Sequence, residues 1–242
     1  MSGPALDADI AHNLATVRRR LEGAAHRSHR PPGSLRLIAV SKTFPVEAVF
    51  AAARAGQQDF GENRVQEGLD KAAATATLGL TWHLIGHLQS NKAKKAAAAF
   101  HWIHSIDSID LLKKVDAGAV DAGTRPQILL QVDLAHEATK FGADRGGVEE
   151  LARAALACRA VELRGLMTVP PIAEDPEEAR TWFRQLRELR DALVARGVPA
   201  ASLAELSMGM SHDCEVAVDE GATLVRVGTA IFGRRPPPVP HA

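Results

Sequence analysis

Lys42 closes the run LRLIAVSKTFP, where four apolar residues, Leu37 to Val40, lead through one serine to a single amine. A short apolar run of this kind reads as a buried parallel strand, and Pro45 suits the first turn of a following helix. Lys42 then falls at the carboxyl end of a strand, where α/β folds gather their chemistry. A lysine held among apolar neighbours has a lowered pKa and attacks aldehydes. The plainer alternative is a loop lysine reaching into water.

The other strand ends are also rich in reactive types. They read Gly61-Glu62-Asn63-Arg64, His83 to Gln89, Ser105-Ile106-Asp107, Met167-Thr168-Val169-Pro170, Ser207-Met208-Gly209-Met210-Ser211 and Arg226-Val227-Gly228-Thr229. Any one of them has a structural reading, because Asn63 and Ser211 suit helix caps and Gly61 and Gly86 suit turns. The last two make the best phosphate site in the chain. Their small residues let backbone amides close on phosphate oxygens, and the hydroxyls of Ser207 and Thr229 can donate. An amine on the first strand facing a phosphate site on the last two fits one compact phosphorylated aldehyde. Pyridoxal 5'-phosphate, held as a Schiff base on Lys42, is the leading candidate.

The elements that position these residues alternate with short periods. Ile10, Leu14, Val17 and Leu21 recur at helical spacing, with Asp9 as a cap or first-turn acid and Arg18 to Arg20 on the wet face. Residues 26–34 form a loop, and Val46 to Ala55 a helix stopped by Gly56. Strands follow at Gln58 to Glu62, Thr81 to Ile85, His101 to Ile106, Gln127 to Val132, Val161 to Met167, Leu203 to Met208 and Thr223 to Val227. Helices fall at Arg64 to Ala76, Lys92 to Phe100, Ser108 to Ala117 with Gly118 as a stop, Gly147 to Ala157, Pro176 to Ala195, and from Asp213. Eight strand-helix alternations in this length predict a single (β/α)8 TIM barrel over residues 1–235 with an extra N-terminal helix. An open doubly wound sheet is the alternative. Residues 236–242 are too proline-rich to pack and read as a disordered tail.

Composition excludes several classes. The 242 residues balance 29 Lys+Arg against 29 Asp+Glu, at a pI of about 7.2, so no basic field exists to hold nucleic acid or an anionic membrane. The basic stretch Lys92, Lys94 and Lys95 lacks aromatic interleaving and reads as a solvated helix start. Cys158 and Cys214 are too few for a disulfide framework. No apolar stretch approaches the roughly 20 residues of a membrane span, and the start MSGPALDADIAHN is no signal peptide, so the expected location is the cytoplasm. His83 with His87, or His101 with His104, lacks the completing ligands of a metal site.

Taken together, LIAVSKTFP, FGENRVQE, WHLIGHLQSNK, SIDS and ELSMGMSHDCEVAVDEGATLVRVGTAIFGRR resemble the pyridoxal phosphate homeostasis proteins, single-domain relatives of the alanine racemase N-terminal barrel. The resemblance runs from Leu35 to Arg235. It implies a fold-type III barrel with Lys42 as the Schiff-base lysine and Arg226 facing the pyridine nitrogen. Ser207, Gly228 and Thr229 would hold the phosphate, Asn63 and His83 would lie near the ring, and Met167 counts among the cofactor-binding residues. Asp133 stands where the family usually has asparagine, although the following LAHEATKFG keeps the Glu137 and Lys140 spacing.

The function expected is that of a monomeric carrier that binds, buffers and hands over the cofactor to pyridoxal-phosphate-dependent apoenzymes. The alternative is an amino-acid racemase using the same Schiff base. Against it, the chain holds no tyrosine to serve as the base on the second face, and Arg226 cannot protonate the ring nitrogen. A phosphosugar enzyme of aldolase type fits the barrel but not the arginine.

Overall fold

The structure is a computed structural model and describes residues 3–135, 141–171 and 173–234. Helix α1 (Gly3–Arg27) leads into β1 (Arg36–Val40), α2 (Val46–Arg54), β2 (Asp59–Glu62), α3 (Val65–Ala74), β3 (Thr81–Leu84), α4 (Ala93–Ala99), β4 (Trp102–Ile106), α5 (Ile109–Ala122) and β5 (Gln127–Asp133). After the two-residue β6 (Ala143–Asp144) come α6 (Val148–Leu156), β7 (Glu162–Met167), α7 (Arg180–Ala195), β8 (Glu205–Ser207), α8 (Cys214–Asp219), β9 (Leu224–Val227) and α9 (Thr229–Phe232).

The hydrogen-bonded order is β4-β3-β2-β1-β9-β8-β7-β5, and a further β4–β5 pairing joins its two ends. That pairing closes eight parallel strands into a barrel, which excludes the open sheet. β6 lies outside the ring, paired only to β5, and has no counterpart in the strand pattern read from sequence. The strands are short and apolar because both faces are covered. Their outer faces pack on the helices, while Ile38, Trp102, Leu129, Met167 and Leu224 form a compact apolar group of their own.

Several boundaries differ from the sequence reading. Ser108 caps α5 as expected, accepting from the Leu111 amide, but the helix continues through Gly118 to Gly123, which takes the left-handed cap at φ +65°. Gly118 is there for closeness: a Cβ on it would stand 2.7 Å from Lys94 Cα of α4. Helix α1 begins at Gly3, so Asp9 lies beyond its first turn, and it extends to Arg27 into the expected loop. Arg19 is exposed as expected, while Arg18 and Arg20 are half-buried and bound to other elements. Arg18 donates to the carbonyls of Ala55 and Gly56, and Arg20 pairs with Glu215 of α8 at 2.7 Å, so two of the three arginines pin α1 to the end of α2 and to α8, which flank the β1–β9 pairing. The tail 236–242, Glu137 and Lys140 lie outside the described residues.

Candidate functional site

Lys42 is half-buried just past β1, in a turn closed by the Phe44 amide donating to Ser41 O at 3.0 Å. The turn places Thr43 at φ +68°, a region that non-glycine residues enter at a cost of about 1–3 kcal/mol and that persists only where the surroundings enforce it. Here the enforcement is visible. The Thr43 amide donates to Glu67 Oε1 at 2.6 Å, and the Ser41 hydroxyl donates to Glu62 Oε1 at 2.6 Å. Lys71 ties the two sides together, donating to Ser41 O, Glu62 Oε1 and Glu67 Oε1 at 2.7, 2.7 and 2.8 Å. Burial outweighs these contacts for Glu62 and pushes its carboxyl above the usual carboxylate range. The backbone on both sides of Lys42 is thus gripped by one buried ionic cluster.

The rim next to Lys42 comes from the other end of the chain. β9 pairs with β1, and Gly228 approaches so closely that an added Cβ would stand 3.2 Å from Val40 O. Phe44 packs on Phe232 of α9 with ring centroids 5.3 Å apart, which brings the Lys42 turn against the segment that carries Thr229. Thr229 is exposed at this rim. The hydroxyl lying across the amides of Gly228 and Ala230 is that of Ser211, at 3.3 and 3.4 Å.

Ser207 is used differently. It is fully buried, accepting from Arg226 Nη1 at 2.5 Å and meeting His104 Nδ1 at 2.9 Å. Arg226 Nη2 donates to Thr168 O at 2.9 Å. Burial pushes the Arg226 guanidinium down to about 10, with Asp213 opposing. It therefore stays charged at neutral pH, yet no carboxylate among the described residues pairs with it. His83 is also fully buried, so it lies inside the barrel and not on the rim wall. Its ring stacks on Trp102, its Nδ1 meets His104 Nε2 and its Nε2 meets Asp59 Oδ1, each at 3.0 Å. Met167 is buried in the barrel's inner apolar group.

Burial, Asp59 opposing, holds His83 below its ordinary value, and burial, with repulsion between the two imidazoles were both to be protonated and from Arg226, holds His104 well below. A depressed histidine leaves the folded protein neutral where the unfolded chain takes up protons. The stability of both is therefore complete above about 6.5 and is lost as pH falls below it, at a slope approaching about 1.4 kcal/mol per pH unit for each histidine that stays neutral. Chemical denaturation between pH 7.5 and 5 should show this decline, less steep in His104→Asn; a flat profile would refute it.

Asn63 follows β2 and lines a cavity of about 210 Å³ with Ile85, Gly86, His87, Asp133, Phe141 and Val169. Gly86 is obligatory there, since a Cβ would come within 2.4 Å of Asn63 O. His87 stacks on Phe141 at 3.5 Å between centroids. The Asp133 carboxylate accepts from the Ala135 amide at 3.2 Å. The structure therefore brings Lys42, Gly228 and Thr229 to one rim, with Asn63 at the cavity beside β2 and β3, and sets Ser207, Arg226 and His83 into the barrel below. Sequence reasoning gave Lys71 no place in the site, quoted Glu62 only as part of a reactive strand end, and weighed Ser211 only as a cap.

The family model for the alanine racemase N-terminal domain matches residues 7–236. The pyridoxal phosphate homeostasis protein of Aquifex aeolicus is 42% identical over 227 residues, 94% of this chain and 99% of that protein. Its namesake in Escherichia coli K12 is 41% identical over 230 residues, 94% and 97% of the two chains. PipY of Synechococcus elongatus, solved with pyridoxal phosphate bound, superposes with a TM-score of 0.79 at 44% identity, over 93% of this chain and 100% of that one. Alanine racemase of Clostridium difficile shares the fold alone, with a TM-score of 0.74 at 16% identity over 95% of this chain and 58% of that chain.

Proposed function

We infer, from the premise that this chain belongs to the alanine racemase N-terminal domain family and within it to the pyridoxal phosphate homeostasis proteins, that it binds pyridoxal 5'-phosphate through Lys42 and serves to store and hand over that cofactor. The observation that supports this reading most directly is that the strand leading to Lys42 lies against Gly228, and the Lys42 turn against the segment that carries Thr229, close to a buried arginine that no carboxylate among the described residues pairs with. A buried guanidinium with only neutral partners is suited to a ligand that brings an acceptor, and backbone amides beside a hydroxyl are suited to an anion. The residues present therefore fit the cofactor.

When bound, pyridoxal phosphate supplies an aldehyde that bonds covalently to an amine and a ring that withdraws electrons. The chain supplies the rest. The ionic cluster holds the Lys42 turn in one conformation. Arg226 presents a fixed charge to the ring nitrogen without giving up a proton. The Ser211 and Thr229 hydroxyls would donate to the phosphate, and the Gly228 and Ala230 amides, which now donate to Ser211 Oγ, would turn to it. Asn63 and Met167 would border the ring, and His83 would act indirectly, through His104. Handover to pyridoxal-phosphate-dependent apoenzymes, a monomeric state and a cytoplasmic location belong to the same proposal; among the described residues no helix is long and apolar enough to cross a membrane.

Phosphate discrimination tests the site. A hydrogen bond to a charged group is worth about 1.5–3 kcal/mol, so Ser211→Ala with Thr229→Ala should weaken pyridoxal phosphate at least about tenfold and plain pyridoxal little. Ser207→Ala should weaken both alike, because its hydroxyl serves Arg226. Equal losses for both ligands in the Ser211/Thr229 variant would remove the phosphate site from that rim.

A further inference from the structure

The barrel interior carries an unbroken polar chain from Arg226 near the site to Asp59 at the opposite end of the strands. Its members come from five strands: Arg226 from β9, Ser207 from β8, His104 from β4, His83 from β3 and Asp59 from the start of β2. The links are 2.5, 2.9, 3.0 and 3.0 Å. Only Asp59 reaches solvent appreciably, and its carboxylate is 3.9 Å from the Arg36 guanidinium.

The chain has one permitted direction. Arginine has no acceptor, so Ser207 Oγ accepts from it; a hydroxyl can accept twice, so the direction is settled from the other end, where the ionised Asp59 carboxylate can only accept. His83 therefore donates from Nε2 and accepts at Nδ1, and His104 donates from Nε2 and accepts the Ser207 proton at Nδ1. Both histidines are therefore neutral Nε2–H tautomers, in keeping with their burial.

We propose that His104, backed by His83 and Asp59, is a positioning residue for Arg226. It turns the Ser207 hydroxyl so that a lone pair, and not the proton, faces the guanidinium. With Nη1 held there and Nη2 held by Thr168 O, the guanidinium plane is fixed beneath the ring nitrogen it addresses, and the electronic character of the bound cofactor is set by a carboxylate at the far end of the barrel. The proposal rests on the reading that Arg226 faces that ring.

Two histidine replacements separate this role from a merely structural one. Asparagine places its amide where Nδ1 was, and glutamine places its amide nearer Nε2, with nothing to accept from Ser207. His104→Asn should keep the wavelength of the yellow band and bind pyridoxal phosphate within about threefold of the parent, whereas His104→Gln should shift the band and weaken pyridoxal phosphate and pyridoxal alike, about tenfold. Identical behaviour of the two variants would overturn the proposal, as would no change in either. Nitrogen-15 NMR of the cofactor-free protein gives a second readout that needs no loaded site and no variant to fold. Nε2–H tautomers at both His83 and His104 are expected, and an Nδ1–H tautomer at His104 would overturn the proposal. Absence of a yellow band in the parent protein would instead sink the cofactor reading while leaving the tautomer result standing.

Discussion

Lys42→Ala abolishes the yellow band that pyridoxal phosphate gives with the parent protein and removes the borohydride-trapped adduct completely. Covalent capture needs an amine, and Lys42 supplies one directly after β1. Lys71 is nearest in the fold but is unsuited: its three ammonium protons go to Ser41 O, Glu62 and Glu67, and it is buried behind the turn. A weak residual affinity through Arg226 and the phosphate contacts should survive, so binding falls while the covalent signal vanishes. Peptide mapping of the trapped adduct decides the assignment. An adduct on Lys71, Lys92 or Lys140 would mean that Lys42 is not the capturing residue.

The second large effect concerns stability. Lys71→Met leaves Glu62 fully buried with its charge uncompensated, and breaking a buried pair in this way typically costs about 3–5 kcal/mol. Glu62 has little to fall back on, since its Oε2 already lacks a hydrogen-bond partner and only the Ser41 hydroxyl would remain on Oε1. Removing both charges with Lys71→Met and Glu62→Leu should recover most of that loss, because a well-packed apolar replacement of an ion pair is often neutral. The double variant should nevertheless bind pyridoxal phosphate poorly, since nothing then ties Ser41 to α3. Urea denaturation measures the first effect and absorbance titration the second. A loss below about 1 kcal/mol in Lys71→Met would show that the cluster is dispensable.

The barrel was legible because its strands are short apolar runs punctuated by glycine and polar stops, and because closure needs only eight of them. Lys42 was legible for a local reason: a lone amine ends an apolar strand just before a proline. What escaped was whatever depends on register across strands. Ser207 and Ser211 stand four residues apart in SMGMS, and nothing local says which hydroxyl enters the barrel and which lies on the rim. Lys71 reads as an ordinary surface lysine of an amphipathic helix, and its burial follows only from how α3 docks on the ends of β1 and β2. His83 and His104 carry no shared motif at all. They meet because β3 and β4 are neighbours, and the tilt of the barrel brings one imidazole to the other.

The pairing of β1 with β9, from Arg36 against Leu224 to Ala39 against Val227, carries a consequence for biosynthesis. Lys42 follows the first strand and Gly228 and Thr229 follow the ninth, so no nascent chain that stops short of β9 can bring the residues of the proposed site together. A nascent polypeptide is blind to its cofactor until the final strand slots beside the first. Ring closure and competence to bind then arrive as one event, and a molecule that fails to seat its last strand cannot sequester the vitamin.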